Sequence, residues 1–200
     1  MREVILGIVH PGIPEALTER LAAEAGITTF VETGTYQGRT TAWAAERFER
    51  VITIEADPGL YRNAAERFRD VPNVTVLHGN SGELLRGIVS SLTEPALFWL
   101  DAHWSGPGTA GETAECPVLE EIAAVDTATQ AHLVLVDDAR MFLHPPHPLH
   151  DQDAWPDITA LVHALGNARR DDYVAVIEDV ILRVPASLKN VLRAYVHGNS

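Results

Sequence analysis

At 200 residues and 21.8 kDa, with 46% apolar and 22% charged residues, the chain has the size and composition of one globular domain, which excludes a disordered chain and a coiled coil. Fifteen Lys and Arg against 28 Asp and Glu leave a net charge of −13. That charge repels phosphate backbones and anionic lipid, so nucleic acid and membrane surfaces are poor partners.

No apolar run reaches the roughly 20 residues of a bilayer crossing. The opening Met1-Arg2-Glu3 carries an acid, and His10-Pro11-Gly12 soon ends the apolar run after it, which fits neither a signal nor a transit peptide. The lone Cys116 permits no internal disulfide and suits a reducing compartment. These features lead us to expect a cytoplasmic protein.

In chain order, Pro14 to Ala25 places Leu17 and Leu21 four apart and predicts an amphipathic helix closed by Gly26. Strands are predicted at Thr28–Val31, Val51–Ile54, Val74–Leu77, Ala96–Leu100 and His132–Val136. Helices alternate with them at Thr40–Phe48, Pro58–Phe68, Gly82–Val89 and Pro117–Val125, and a further helix runs from Pro156 to Leu165. Tyr173–Ile177 and Val180–Val184 read as a hairpin closed at Glu178-Asp179. Strand and helix in alternation imply a doubly wound α/β fold: a mostly parallel seven-stranded sheet with an antiparallel C-terminal hairpin. The expected organisation is one domain, with a helical segment over 1–26, a core over 27–185 and a tail over 186–200. Two long loops, Ser105–Cys116 and Met141–Trp155, exceed ordinary connections and are expected to be functional.

Ligands of such sheets bind beyond the carboxyl ends of the strands. Those ends read Glu32-Thr33-Gly34-Thr35-Tyr36-Gln37-Gly38, Glu55-Ala56-Asp57, His78-Gly79-Asn80-Ser81, Asp101-Ala102-His103-Trp104 and Asp137-Asp138-Ala139-Arg140. Gly34 and Gly38 allow a tight turn and close approach to a ligand. Their spacing is not that of a pyrophosphate-binding loop, and Glu32 beside the turn suits a cationic ligand such as an ammonium or a sulfonium. Glu55 stands 23 residues beyond Glu32, where an acid can take a ribose diol in its two acceptor oxygens.

Val31 to Gly38, followed by Thr53-Ile54-Glu55-Ala56-Asp57, resembles the first two motifs of class I S-adenosylmethionine-dependent methyltransferases, and the strand order from Thr28 to Val184 resembles their Rossmann-like fold. The resemblance implies an S-adenosylmethionine site. Glu32, Thr33, Gly34, Thr35, Gly38 and Thr40 would surround its methionine part, and Glu55 with Ala56 its ribose. Asn80 and Ser81 would lie at the adenine, with Asp101 alongside. Many members carry Asp where this chain has Asn80.

Asp101, Asp137 and Asp138 would repel one another if left bare, and a divalent cation, Mg²⁺ above all, removes that conflict. Leu100 to Trp104 and Leu135 to Asp138 resemble the metal-binding segments of metal-dependent O-methyltransferases of the catechol and macrolide-sugar types. The resemblance implies a metal held by Asp101, Asp137 and Asp138, and a small acceptor with neighbouring oxygens. Where the catechol type has a lysine soon after its tryptophan, this chain has Ser105-Gly106, so His103 with Asp101 becomes the expected catalytic pair. A role for His103 behind the carboxylates, or as a further ligand, stays open.

His144, His147 and His150 recur every three residues, but the prolines among them forbid a single helical ligand face, so a polar lid over the substrate is expected. Arg140 is free to pair with Asp101 or Asp138, or to clamp an anion. Trp43 and Trp99 read as core, and Cys116 as a small buried residue. Methyl transfer competes with a metal-dependent hydroxylase on the same fold, which cephalosporin hydroxylase-like proteins resemble in outline, and with a non-catalytic cofactor-binding module. A homodimer is expected as one assembly for an enzyme of this size.

Overall fold

A computed structural model describes residues 12–103, 115–145, 150–166 and 171–198. The N-terminal apolar run, Trp104 with Ser105-Gly106 after it, and His147 lie outside these residues.

Seven strands form one sheet: β1 (Thr29–Thr33), β2 (Arg50–Glu55), β3 (Val74–His78), β4 (Leu97–Leu100), β5 (Leu133–Val136), β6 (Asp172–Ile177) and β7 (Val180–Pro185). Their spatial order is β3-β2-β1-β4-β5-β7-β6. The first five are parallel, while β7 runs antiparallel to both β5 and β6. The helices are α1 (Glu15–Ala25), α2 (Arg39–Ala45), α3 (Pro58–Arg67), α4 (Ser81–Ser91), α5 (Val118–Val125), α6 (Ile158–Gly166) and α7 (Lys189–Val196). Among the described residues no helix is long and apolar enough to cross a membrane.

Central parallel strands are buried on both faces, which is why they read as unbroken apolar runs. Alternation sorts their side chains into two cores. Val31, Ile52, Phe98, Val134 and Ile181 face α4, α5 and α6, packing with Leu85, Ile122 and Leu161. Phe30, Val51, Trp99, Leu135 and Leu182 face the opposite way, with Leu17 and Leu21 of α1 and with Trp43. Trp43 and Trp99 are thus core residues, as expected. The β6–β7 turn places Glu178 at φ +50° and Asp179 at φ +66°, the paired left-handed conformation of a two-residue hairpin.

Among the boundaries that differ from the sequence reading, three have a local reason. β1 takes in Glu32 and Thr33, whose pairing with β2 and β4 continues to the last residue. α6 starts at Ile158 rather than Pro156, because the Asp157 carboxylate caps it by accepting the Ala160 N–H at 2.7 Å. The residues expected as a tail form a 3₁₀ turn (Ala186–Leu188) and α7. Leu188 and Leu192 bury themselves in the core that α1 also caps, and the Tyr195 hydroxyl donates to Glu178 Oε1 at 2.7 Å. Leu188, Val191, Leu192 and Tyr195 carry the helical spacing that gives this segment an apolar face.

Truncating a buried leucine removes transfer energy and leaves a cavity. Leu192→Ala is therefore expected to lower stability by about 2–5 kcal/mol in urea unfolding, while the exposed Arg193→Ala stays within about 0.5 kcal/mol of the parent.

Candidate active site

The topology reverses between β1 and β4, the place where open α/β sheets hold ligands. The turn after β1 opens there. Gly34 adopts φ +81° and Gly38 φ +70°, and both Gly34 N–H and Thr35 N–H donate to the Ile54 carbonyl, at 2.9 and 3.2 Å. A Cβ on Gly34 would run into the Asp101 carbonyl, so the turn lies directly against the end of β4. From the other side Asp101 N–H donates to Thr33 Oγ1 at 3.1 Å.

Glu55 locks this turn in place. Its Oε2 accepts the Tyr36 N–H at 2.8 Å, and its Oε1 accepts the Asp57 N–H at 2.9 Å. Each oxygen keeps a second lone pair for a further donor. Ala56 follows, exposed, and Asp57 caps α3.

Glu32 lies at the floor. It is buried within β1, and its Oε2 accepts the hydroxyls of Thr41 at 2.5 Å and Thr53 at 2.7 Å. The Thr53 and Thr35 hydroxyls are 2.6 Å apart. Burial pushes the Glu32 pKa up to about 7 against the pull of these donors. A positive charge above Glu32 would restore its ionised form. A cavity of about 330 Å³ rises from this floor, walled by Gly34, Thr35, Thr40, Trp43 and Asp101, with Ile13 at its rim. Asn80 and Ser81 stand at the start of α4: the Asn80 side chain caps the helix by accepting Glu83 N–H at 3.2 Å, and Ser81 is buried.

Asp101 borders both this cavity and a cluster formed with β5. His103 Nε2 lies 3.0 Å from Asp138 Oδ2, and its Nδ1 lies 3.6 Å from Asp101 Oδ1. Arg140 reaches Asp138 Oδ1 at 2.7 Å and also pairs with the Asp179 carboxylate, tying the hairpin turn to the end of β5. Arg140 therefore engages Asp138 and Asp179, not Asp101. Burial lowers the affinity of His103 for its proton, but the Asp138 hydrogen bond and the nearby charges of Asp101, Asp138 and Asp137 outweigh it, so its pKa is raised above 6.5. Burial raises Asp101 well above the usual carboxylate range, His103 opposes this, and Asp137 and Asp138 add to it. Asp137 is likewise pushed up, to about 6, by burial and by Asp138. Burial acts on Asp138 too, yet His103 and Arg140 hold its pKa down.

The three carboxylates converge at the ends of β4 and β5, beside an imidazole and a guanidinium. Both Asp138 oxygens face His103 or Arg140, and Asp137 Oδ1 accepts the Asp138 N–H at 2.7 Å. Among the described residues no group of three His, Cys, Asp or Glu side chains is arranged to hold a metal. Asp138 has left-handed backbone, φ +56°, and its carboxylate faces His103. The positive charges set against these acids are an imidazole and a guanidinium.

Two further acids belong to this region. Glu121 on α5 is buried, its Oε1 has no hydrogen-bond partner among the described residues, and burial pushes its pKa up to about 7 although the Ser81 and Thr33 hydroxyls face it. The sequence carried a signal: Val118, Glu121, Ile122 and Val125 share one helical stripe, which puts an acid on the buried face. Glu115 ends the long connection after β4 and binds the 150–155 stretch; no sequence pattern marked it. The histidine series does not act as a set among the described residues. His144 is exposed beside the Pro145 carbonyl, and His150 contacts Glu115. Burial pushes the Cys116 thiol up to about 12, which makes it a packing residue rather than a nucleophile.

No protein-family model and no curated protein matches this sequence. Solved structures do match its fold. The O-methyltransferase TomG from Streptomyces achromogenes, involved in tomaymycin synthesis and solved in complex with SAM, is 19% identical; the match covers 88% of this chain and 82% of TomG, with a TM-score of 0.61. An O-methyltransferase from Bacillus cereus, solved with SAH, is 18% identical over 88% of this chain and 83% of that one, with a TM-score of 0.62. The chain has the Rossmann-like methyltransferase fold.

Proposed function

We propose that this chain transfers the methyl group of S-adenosylmethionine to an oxygen of a small acceptor. The observation that carries this reading is the shared wall at Asp101: one face borders the Gly34 turn and its cavity, the other borders His103. This arrangement would set a cofactor pocket and a proton acceptor side by side.

The residues present fit the cofactor. A backbone cradle that any Cβ at Gly34 would fill, a carboxylate floor at Glu32 and a second carboxylate at Glu55 suit a ligand with a cation at one end and a diol further on. Gly34, Thr35 and Thr40 would hold the methionine part, Glu55 the ribose hydroxyls, and Asn80 with Ser81 the adenine. When bound, S-adenosylmethionine supplies an electrophilic methyl group on a sulfonium.

The chain's own residues do the rest. Asp138, kept charged by His103 and Arg140, accepts the Nε2 proton and so selects the tautomer with an Nδ1 lone pair. Nδ1 points to the Asp101 side, where an acceptor hydroxyl can give up its proton as oxygen attacks. An acceptor with neighbouring oxygens would call for a cation at Asp101, Asp137 and Asp138; the step at His103 itself needs only a single hydroxyl. The net charge of −13 favours a small molecule over nucleic acid as acceptor.

Calorimetric titration of S-adenosylmethionine is the test. One-to-one binding is expected, equal in Mg²⁺ and in EDTA, and Glu55→Ala should weaken it by roughly tenfold or more, since hydrogen bonds to a charged group are each worth about 1.5–3 kcal/mol. Absence of binding in both buffers would remove this reading and favour a hydroxylase or another ligand. A Mg²⁺ requirement lost in Asp137→Asn would restore the cation.

The pH dependence has a definite sign. His103 accepts a proton only when neutral, and its pKa lies above 6.5. Once a panel of acceptors, read by S-adenosylhomocysteine release, yields a substrate, the rate should climb with pH through a midpoint above 6.5 and then level off. Asp138→Asn should move that midpoint down. His103→Ala should cost roughly 10²–10⁴ in kcat.

A further inference from the structure

Glu115 is 5% exposed, yet its carboxylate takes three hydrogen bonds, all from one short stretch. Trp155 Nε1–H donates to Oε2 at 2.8 Å, His150 Nδ1 to the same oxygen at 3.1 Å, and Asp151 N–H to Oε1 at 3.1 Å. Burial alone would raise the Glu115 pKa, but these donors outweigh it and hold the group below the ordinary range. A charged, desolvated carboxylate with three donors is a rigid anchor.

Trp155 carries that rigidity inward. Its ring is 7% exposed and meets the His103 ring edge-on, with centroids 5.5 Å apart and planes at 61°. Phe142 lies 5.6 Å away and His150 5.3 Å away, so the indole is packed on several sides. His103 is thus held at Nε2 by Asp138 and meets the Trp155 indole across its ring. The indole packs against the imidazole and helps keep Nδ1 on the Asp101 side.

We propose that Glu115 is a positioning residue for His103, acting through the Trp155 indole. The use of His103 as proton acceptor rests on the methyl-transfer reading; the geometry under test does not.

The test reads the ring nitrogens of His103 directly, by ¹⁵N NMR of the full chain at alkaline pH, with the resonances assigned by comparison with His103→Gln. The parent should show the tautomer protonated at Nε2. Glu115→Gln should populate the other tautomer or broaden the signals. Trp155→Phe, which keeps a ring but loses the N–H, should do the same, and adding Glu115→Gln to it should change His103 no further. S-adenosylmethionine affinity should stay within about twofold in all three, because the Gly34 turn is untouched. With an acceptor in hand, Glu115→Gln should lower kcat by roughly tenfold to a hundredfold with KM little changed.

Two results would overturn the proposal: His103 signals unchanged in Glu115→Gln although Trp155 fluorescence shifts to the red, or effects of the two substitutions that simply add. If Glu115→Gln does not fold, Trp155→Phe decides alone, and an unchanged His103 overturns the proposal. Failure of the methyl-transfer reading shows separately, as a parent protein that does not bind S-adenosylmethionine while its His103 tautomer responds as described.

Discussion

The site is governed by a surplus of buried negative charge. Glu32, Asp101, Asp137, Asp138 and Glu121 gather at the carboxyl end of the sheet, where burial acts on all five and leaves the pKa raised in all but Asp138. Unpaired carboxylates in such a place are costly. Asp138 escapes because His103 and Arg140 stand against it. Glu32 and Asp101, at the cavity, are the acids a cationic ligand would relieve. The same electrostatic deficit thus orients an imidazole on one side of Asp101 and creates an attraction for positive charge on the other.

Backbone geometry sets how close these two halves lie. The Gly34 turn presses against the Asp101 carbonyl, and Asp101 N–H bonds back to Thr33. Glu55 clamps the turn from β2. A side chain at Gly34 would separate the turn from β4 and with it the cavity from His103. Further out, the hairpin turn holds Arg140 through Asp179, so even the antiparallel edge of the sheet contributes to the charge balance.

Much of this was legible in the amino-acid sequence. Parallel strands buried on both faces announce themselves as apolar runs, and Gly34 and Gly38 mark the turn; that Glu55 also clamps it through the Tyr36 N–H was not legible. The α7 segment had the periodicity of a helix but few residues to show it. Partner choice was not legible. Arg140 could face either of two acids until the β6–β7 turn brought Asp179 beside it. The acidic triad suggests a cation because sequence conveys proximity of charges; that the Asp138 carboxylate faces His103 and Arg140 was not legible in it. Glu115 depends on a contact spanning 40 residues, to Trp155, with no periodic pattern to signal it.

The most direct measurement is a crystal structure of the protein grown with S-adenosylhomocysteine. The account predicts its amino-acid portion over Glu32 and the Gly34 turn, its ribose hydroxyls on Glu55, and its sulfur on the side of Asp101 that faces His103. A ligand seated elsewhere, or a sulfur turned away from His103, would contradict the account.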